Sequence, residues 1–363
     1  MMPDYQTSIY KPDLDDAVRR WEAYWNGEII DRPLLLLTAP RRGETIPVDT
    51  TYRDRVFGDI DEVIDRTLAR AEKVYWGGDL IPAWCPTFGP DEMAVFCGAE
   101  LSFSPDSGDT NWSEPFVEDW EKALPFEMNL QHPLWLRLLE LYRRAAERME
   151  GKLLLTTIDL HSNMDLLAGM RGSQRLCMDL ADCPELIDAA MDCARKVFPL
   201  VWRGVAEAGK MAERGYVQTY YGGKTGGATL QCDFSAMIGP AMFKRWVLPA
   251  LEEEAEIVKR VGYHWDGPSA LKHRPALCQT KGLHTLSYVP GDHLAGGPED
   301  RHTYYVPMYQ QIQAAGKGVL VWGTAEELKI MHKQLRPEKT IYLANLDSQS
   351  EAEALQEWFV KNT

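Results

Sequence analysis

The tetrapeptide His264-Trp265-Asp266-Gly267 sets an imidazole and a carboxylate two residues apart. In an extended strand such residues project from one face, so the pair suits a metal ion or a proton relay in which the carboxylate orients the imidazole. A second concentration, Asp159, His161, Asn163 and Asp165, follows the apolar run LLLTTI. Asp233 in QCDF is a further acidic candidate, equally suited to capping the helix after it. Arg41 and Arg42 follow LLLLTA and could hold an anion, while Asp79 after two glycines suits a pocket or a turn. Tyr220 and Tyr221 precede GGKTGGA with Lys224, whose spacing departs from the phosphate-binding glycine patterns and reads as a turn. Tyr288, Asp292 and His293 in SYVPGDH, then Trp322, then Asn345 and Asp347, complete the set.

Each of these groups lies at or just after a short apolar run. Runs at residues 34–39, 153–158, 283–289, 318–322 and 341–345, with weaker ones at 76–81, 216–221 and 261–265, lack alternation, as strands covered on both faces do. Amphipathic stretches at residues 13–26, 61–74, 133–149, 184–208, 240–261, 324–334 and 350–361 lie between them, the last opening on a Ser350/Glu353 capping-box pattern. The repeated order predicts an α/β fold with a parallel sheet, and the strand count predicts a (β/α)8 TIM barrel with an N-terminal helical extension. In that fold functional groups gather beyond the carboxyl ends of the strands. Residues 84–124 are irregular and rich in Pro, Gly, Asp and aromatics, as expected of a binding loop near the barrel mouth. No linker or repeat divides residues 1–363, so a single domain is expected.

The 363 residues carry 39 Lys and Arg against 54 Asp and Glu, a net charge of −15. That balance repels a phosphate backbone and sets nucleic acid aside. Seven cysteines, odd in number and without CxxC spacing, fit a reducing compartment. With no leader pattern and no run approaching ~18 apolar residues, the expected location is the cytoplasm, without a membrane partner; an oligomer is compatible.

Four segments resemble the uroporphyrinogen decarboxylase-like superfamily, which also contains cobalamin-dependent methyltransferases. RPLLLLTAPRRG is similar to its arginine-bearing first strand and GGDLIPAW to its aspartate-bearing second. LAGMRGSQRLCMDLADCPELI is similar to its Arg-Gly and Pro-Glu segment, and GATLQCDFSAMIGPAMFKRWVLPAL to the stretch in which a polar pair precedes a Gly-Pro helix. Together they cover most of the chain in the superfamily's order, which implies the TIM barrel. The methyltransferase branch implies zinc that binds and deprotonates a thiol, methylcobalamin on a separate corrinoid protein, and an HxCG zinc motif. His264-Trp265-Asp266-Gly267 keeps its histidine and glycine, Asp266 replaces the thiolate, and residues 341–347 contain no cysteine. Because zinc accepts carboxylate oxygen, a metal at His264 and Asp266 stays open beside metal-free proton transfer.

The decarboxylase branch works without metal and implies Arg41, Arg42 and Asp79 as substrate groups, although PRRG lacks the RQAGR-like spacing. The leading expectation is a methyltransferase-like enzyme with His264, Asp266 and Asp233 catalytic. Arg41, Arg42, Asp79, His161, Asn163, Tyr221, Tyr288 and Trp322 are then expected around a small substrate. The methyl carrier would be a partner corrinoid protein, since the chain has no DxHxxG motif. The alternatives are a metal-free decarboxylase or lyase acting on a small carboxylate, and a non-catalytic small-molecule-binding barrel.

Overall fold

The computed structural model of the chain describes residues 8–103, 110–218, 221–223, 227–291 and 294–363. Tyr220, Lys224, Asp292 and His293 therefore lie outside the described residues, as does part of the irregular stretch after Trp84. The strands that position the site are Leu34–Pro40 (β1), Val74–Gly78 (β2), Ala83–Trp84 (β3), Leu154–Leu155 (β4), Ala228–Gln231 (β5), Val261–Asp266 (β6), Leu283–Val289 (β7), Gly318–Trp322 (β8) and Thr340–Asn345 (β9).

One sheet runs in the order β2-β1-β9-β8-β7-β6-β5, parallel throughout except that β2 is antiparallel to β1. β3 and β4 form a separate parallel pair. The result is a mixed α/β fold in which β1 and β5 to β9 supply six parallel strands and β3 and β4 two more. Among the described residues no hydrogen-bonded register joins the pair to the sheet, so closure into the expected barrel is not seen. The stretch 216–221 divides into two short antiparallel strands, Tyr216–Gln218 and Tyr221–Gly223.

Strands without alternation have both faces covered. Leu35 and Leu37 of β1 face the helical layer, whereas Leu34 and Leu36 meet Leu320, Ile341 and the N-terminal helix Leu14–Trp25 (α1). α1 seals the amino ends of the strands. Trp21 Nε1 donates to the Asp79 carbonyl (2.9 Å), Tyr24 Oη shares a hydrogen bond with Thr285 Oγ1 (2.7 Å), and Trp25 Nε1 donates to the Gly222 carbonyl (2.7 Å).

Two helical expectations are corrected. The stretch 240–261 is interrupted by a π-helical turn at Phe243–Val247 before Leu248–Val258, because Pro249 has no N–H to offer Arg245 and its ring crowds that carbonyl. The last helix, Gln349–Asn362, is capped by Ser348, which accepts from Glu351 N at 3.2 Å, and Ser350 lies inside it. No helix among the described residues is long and apolar enough to cross a membrane.

Candidate functional site

Gln231 of β5, His264 of β6 and Ser287 of β7 stand in one register row near the carboxyl ends of their strands. All three line a cavity of about 700 Å³. Strand periodicity explains the aim of His264: Gly262 and His264 share the inner face, while Tyr263 and Trp265 bury themselves in the helical layer. Gly262 has no room for a side chain, since a Cβ there would lie 2.0 Å from the ring of Tyr221. Tyr221 occupies that space and lines the cavity beside His264.

The adjoining wall comes from the segments after β4 and β5. His161 Nε2 lies 3.6 Å from Asp159 Oδ2 and 4.0 Å from Asp233 Oδ2. Gln231 Nε2 donates to Asp159 Oδ1 (2.6 Å) and fixes that carboxylate. Asp165, rather than Asp233, caps the turn that follows, accepting from Asp233 N (3.0 Å) and Phe234 N (2.8 Å). Burial pushes the Asp165 carboxyl up to about 7, helped by the Asp233 charge and opposed by His161 and the two N–H groups. For His161, burial opposes protonation, but Asp159, Asp165, Asp233 and Asp91 outweigh it and raise the imidazole to about 9. His161 and Asp233 also line a neighbouring cavity of about 550 Å³ that Asp91, Trp112, Glu114 and Asp165 share.

Arg55 is the arginine of the larger cavity, and the sequence reading missed it. Its buried guanidinium donates to Thr50 Oγ1 (3.2 Å), the Thr50 carbonyl (2.7 Å) and the Thr87 carbonyl (3.2 Å), beside the Tyr52 and Trp84 rings. The available signal was the capping box Thr51–Asp54, which opens the helix Tyr52–Phe57 soon after β1. Cys85 also lines the cavity, but burial pushes its thiol up to about 11 and it donates to the Thr157 carbonyl (3.2 Å), so it is no ready nucleophile.

Of the expected residues, His161, Tyr221, Asp233 and His264 come together in this cavity. The others are placed elsewhere. Asp79 is buried against Arg32 at the opposite end of the sheet, because β2 runs antiparallel to β1 and its carboxyl end lies at the β1 amino end. Arg41 clamps the Val74 and Tyr10 carbonyls (3.0 and 2.9 Å), and Arg42 pairs with Glu353 on the surface (2.6 Å). Asn163, at φ 47°, donates to the Gln231 carbonyl (3.1 Å) and ties its helix to β5. Tyr288 faces the helical layer between Trp265 and Tyr305, with ring centroids 5.4 and 4.8 Å away. Trp322 packs on the buried His302 ring (3.7 Å). Asp266 ends β6 beyond the lining residues, and its charge acts on the Tyr288 phenol, which burial chiefly holds above its ordinary range.

Among the described residues, no three His, Cys, Asp or Glu side chains converge as metal donors. His264 and Asp266 alone fall short of the three protein ligands of a catalytic zinc site, so the described donors do not fit that metal and no step is derived through it.

The fold has a solved counterpart. A methyltransferase from Methanosarcina mazei superposes with a TM-score of 0.61 over 99% of both chains, at 11% sequence identity. A likeness at that identity speaks for the fold alone. No family model and no curated protein sequence matches the chain.

Proposed function

We propose that this chain is a methyltransferase-like enzyme of the uroporphyrinogen decarboxylase-like superfamily. In this reading residues 1–363 form one cytoplasmic barrel domain whose wall the β3–β4 pair completes. The enzyme moves a methyl group between a small molecule in the 700 Å³ cavity and a corrinoid carried by a partner protein. One observation carries the reading: His264, His161, Asp159 and Asp233 converge on a cavity at the carboxyl ends of parallel strands. The likeness to a methyltransferase along the whole chain supports it.

The chain's own residues supply binding and proton transfer. Trp84 and Tyr52 give apolar walls, Gln231 and Ser287 offer hydrogen bonds, and His264 is an imidazole placed to exchange a proton with a bound heteroatom. A carboxy-lyase is the second reading, favoured by the buried Arg55 guanidinium as a carboxylate anchor.

The test follows the visible spectrum of free methylcobalamin, and of reduced cobalamin, mixed with the protein and a panel of small thiols and methylated compounds. Interconversion of methylated and demethylated cobalamin that disappears in His264→Ala is expected. Release of CO2 from small carboxylates without any methyl exchange would overturn methyl transfer in favour of the second reading.

A further inference from the structure

His161 is the best-placed ionisable group for which that mechanism has no task. It lies on the wall shared by the two cavities, with its side chain 15% exposed. Asp159 and Asp233 both stand beyond direct hydrogen-bonding distance of Nε2, at 3.6 and 4.0 Å, so the Nε2 proton is tied to neither carboxylate and can be given to a ligand atom beside the ring in the cavity. The frame is fixed: Gln231 holds Asp159, Asp165 holds the Asp233 backbone, and Asn163 ties the following helix to β5. The titratable and charged groups that face it are Asp159, Asp165, Asp233 and Asp91, with Glu114 in the smaller cavity and Asp49, Arg55 and His264 in the larger. Carboxylates dominate the near neighbours and favour the protonated ring against the cost of burial.

We propose that His161 is a catalytic residue, the general acid that hands its Nε2 proton to the heteroatom from which a methyl group departs. This rests on the methyl-transfer reading and gives it a direction and a substrate class: the bound small molecule is a methyl ether and the corrinoid is the acceptor. The bond that forms joins the methyl carbon to the acceptor, a reduced corrinoid, which supplies the electron pair. The carbon–oxygen bond breaks, its pair stays on oxygen, and the His161 proton goes to that oxygen. The products are an alcohol or phenol, a methylated acceptor and a neutral imidazole that regains its proton from solvent. An ether needs such an acid. A thiolate departs without a proton and an amine departs neutral from a quaternary ammonium, whereas an alkoxide is too basic to leave unprotonated.

Two measurements on the full-length protein test the assignment. A nitrogen–proton NMR titration of the wild-type imidazoles, with the His161 signal assigned by its loss in His161→Gln, needs no substrate. The ring is expected to stay protonated until about pH 9. The second measures methyl transfer from methyl phenyl ethers and aliphatic methyl ethers to free reduced cobalamin. His161→Ala is expected to lose ~100-fold or more in kcat with little change in KM, to regain part of it with added imidazole, and to lose the alkaline fall of the wild-type profile. A His161 ring that is neutral at neutral pH, or wild-type kcat in His161→Gln across the profile, overturns the proposal. A protonated His161 without methyl transfer in either direction from any compound instead sinks the underlying reading. Transfer only from methylcobalamin to thiols, undisturbed in His161→Ala, overturns the acid and leaves that reading standing.

Discussion

At the scale of single residues, Asp79 shows how a polar side chain in a plausible motif serves stability instead of a site. It is fully buried, ion-paired with a buried Arg32, and accepts the Leu35 N–H (3.0 Å). Removing its charge leaves the Arg32 guanidinium uncompensated, which costs about 3–5 kcal/mol. Asp79→Asn should therefore lower the urea midpoint sharply while leaving the His161 imidazole titration unchanged. Arg32→Met in the same chain should recover part of the loss. An altered titration with intact stability would place Asp79 at the site after all. The sequence made His161, Asp233 and His264 legible because each stands where an inward-facing strand residue or a strand-end segment must meet the cavity. Arg41, Arg42 and Asp79 were equally polar and equally near strands. Nothing local says that Arg41 would spend its donors on two carbonyls, or that the strand Asp79 follows runs antiparallel to β1.

At the scale of elements, β1 and β8 were legible because both their faces are largely apolar and buried. β5 was not. Thr229 and Gln231, its inward residues, are polar because they line the cavity, so the functional face erased the hydrophobic signal that marks a strand. The neighbouring β6 depends on a different device, the absence of a side chain at Gly262 under the Tyr221 ring. Gly262→Ala should overpack that contact and cost about 1–3 kcal/mol. Because the two residues share one space, Tyr221→Ala should cost less in the Gly262→Ala background than alone, with a coupling of about 1 kcal/mol or more in a double-mutant cycle of urea unfolding. Strict additivity would mean that β6 does not rest on this contact, and that His264, two residues along, is aimed by something else.

For the whole molecule, the buried ionisable groups around the cavity set a stability profile that net charge would not suggest. Burial pushes the carboxyls of Glu92 and Glu254 up to about 8, and neighbouring carboxylates raise His161 to about 9. Each folded-state value exceeds its unfolded one, so each group's contribution is fully present below the unfolded value and is lost across the pH window in which the folded chain holds a proton that the unfolded chain has released. That loss is complete once pH has risen through the folded value. His132, His273, His284, His302 and His332, lowered by burial, act in the opposite sense, but only below about pH 6.5, where the unfolded imidazole gains its proton. Above pH 7 the first set governs. At roughly 1.4 kcal/mol per group per pH unit, stability should fall by a few kcal/mol between about pH 7 and about pH 9. Urea midpoints at the two pH values measure it, and Glu254→Gln or His161→Gln should each flatten the slope by about one proton's worth. A wild-type midpoint that holds level, with the same slope in both variants, would mean that these groups are already ionised or neutral as in the unfolded chain. The imidazolium on which the acid step depends would then be absent too, so one pair of unfolding curves bears on both the fold and its chemistry.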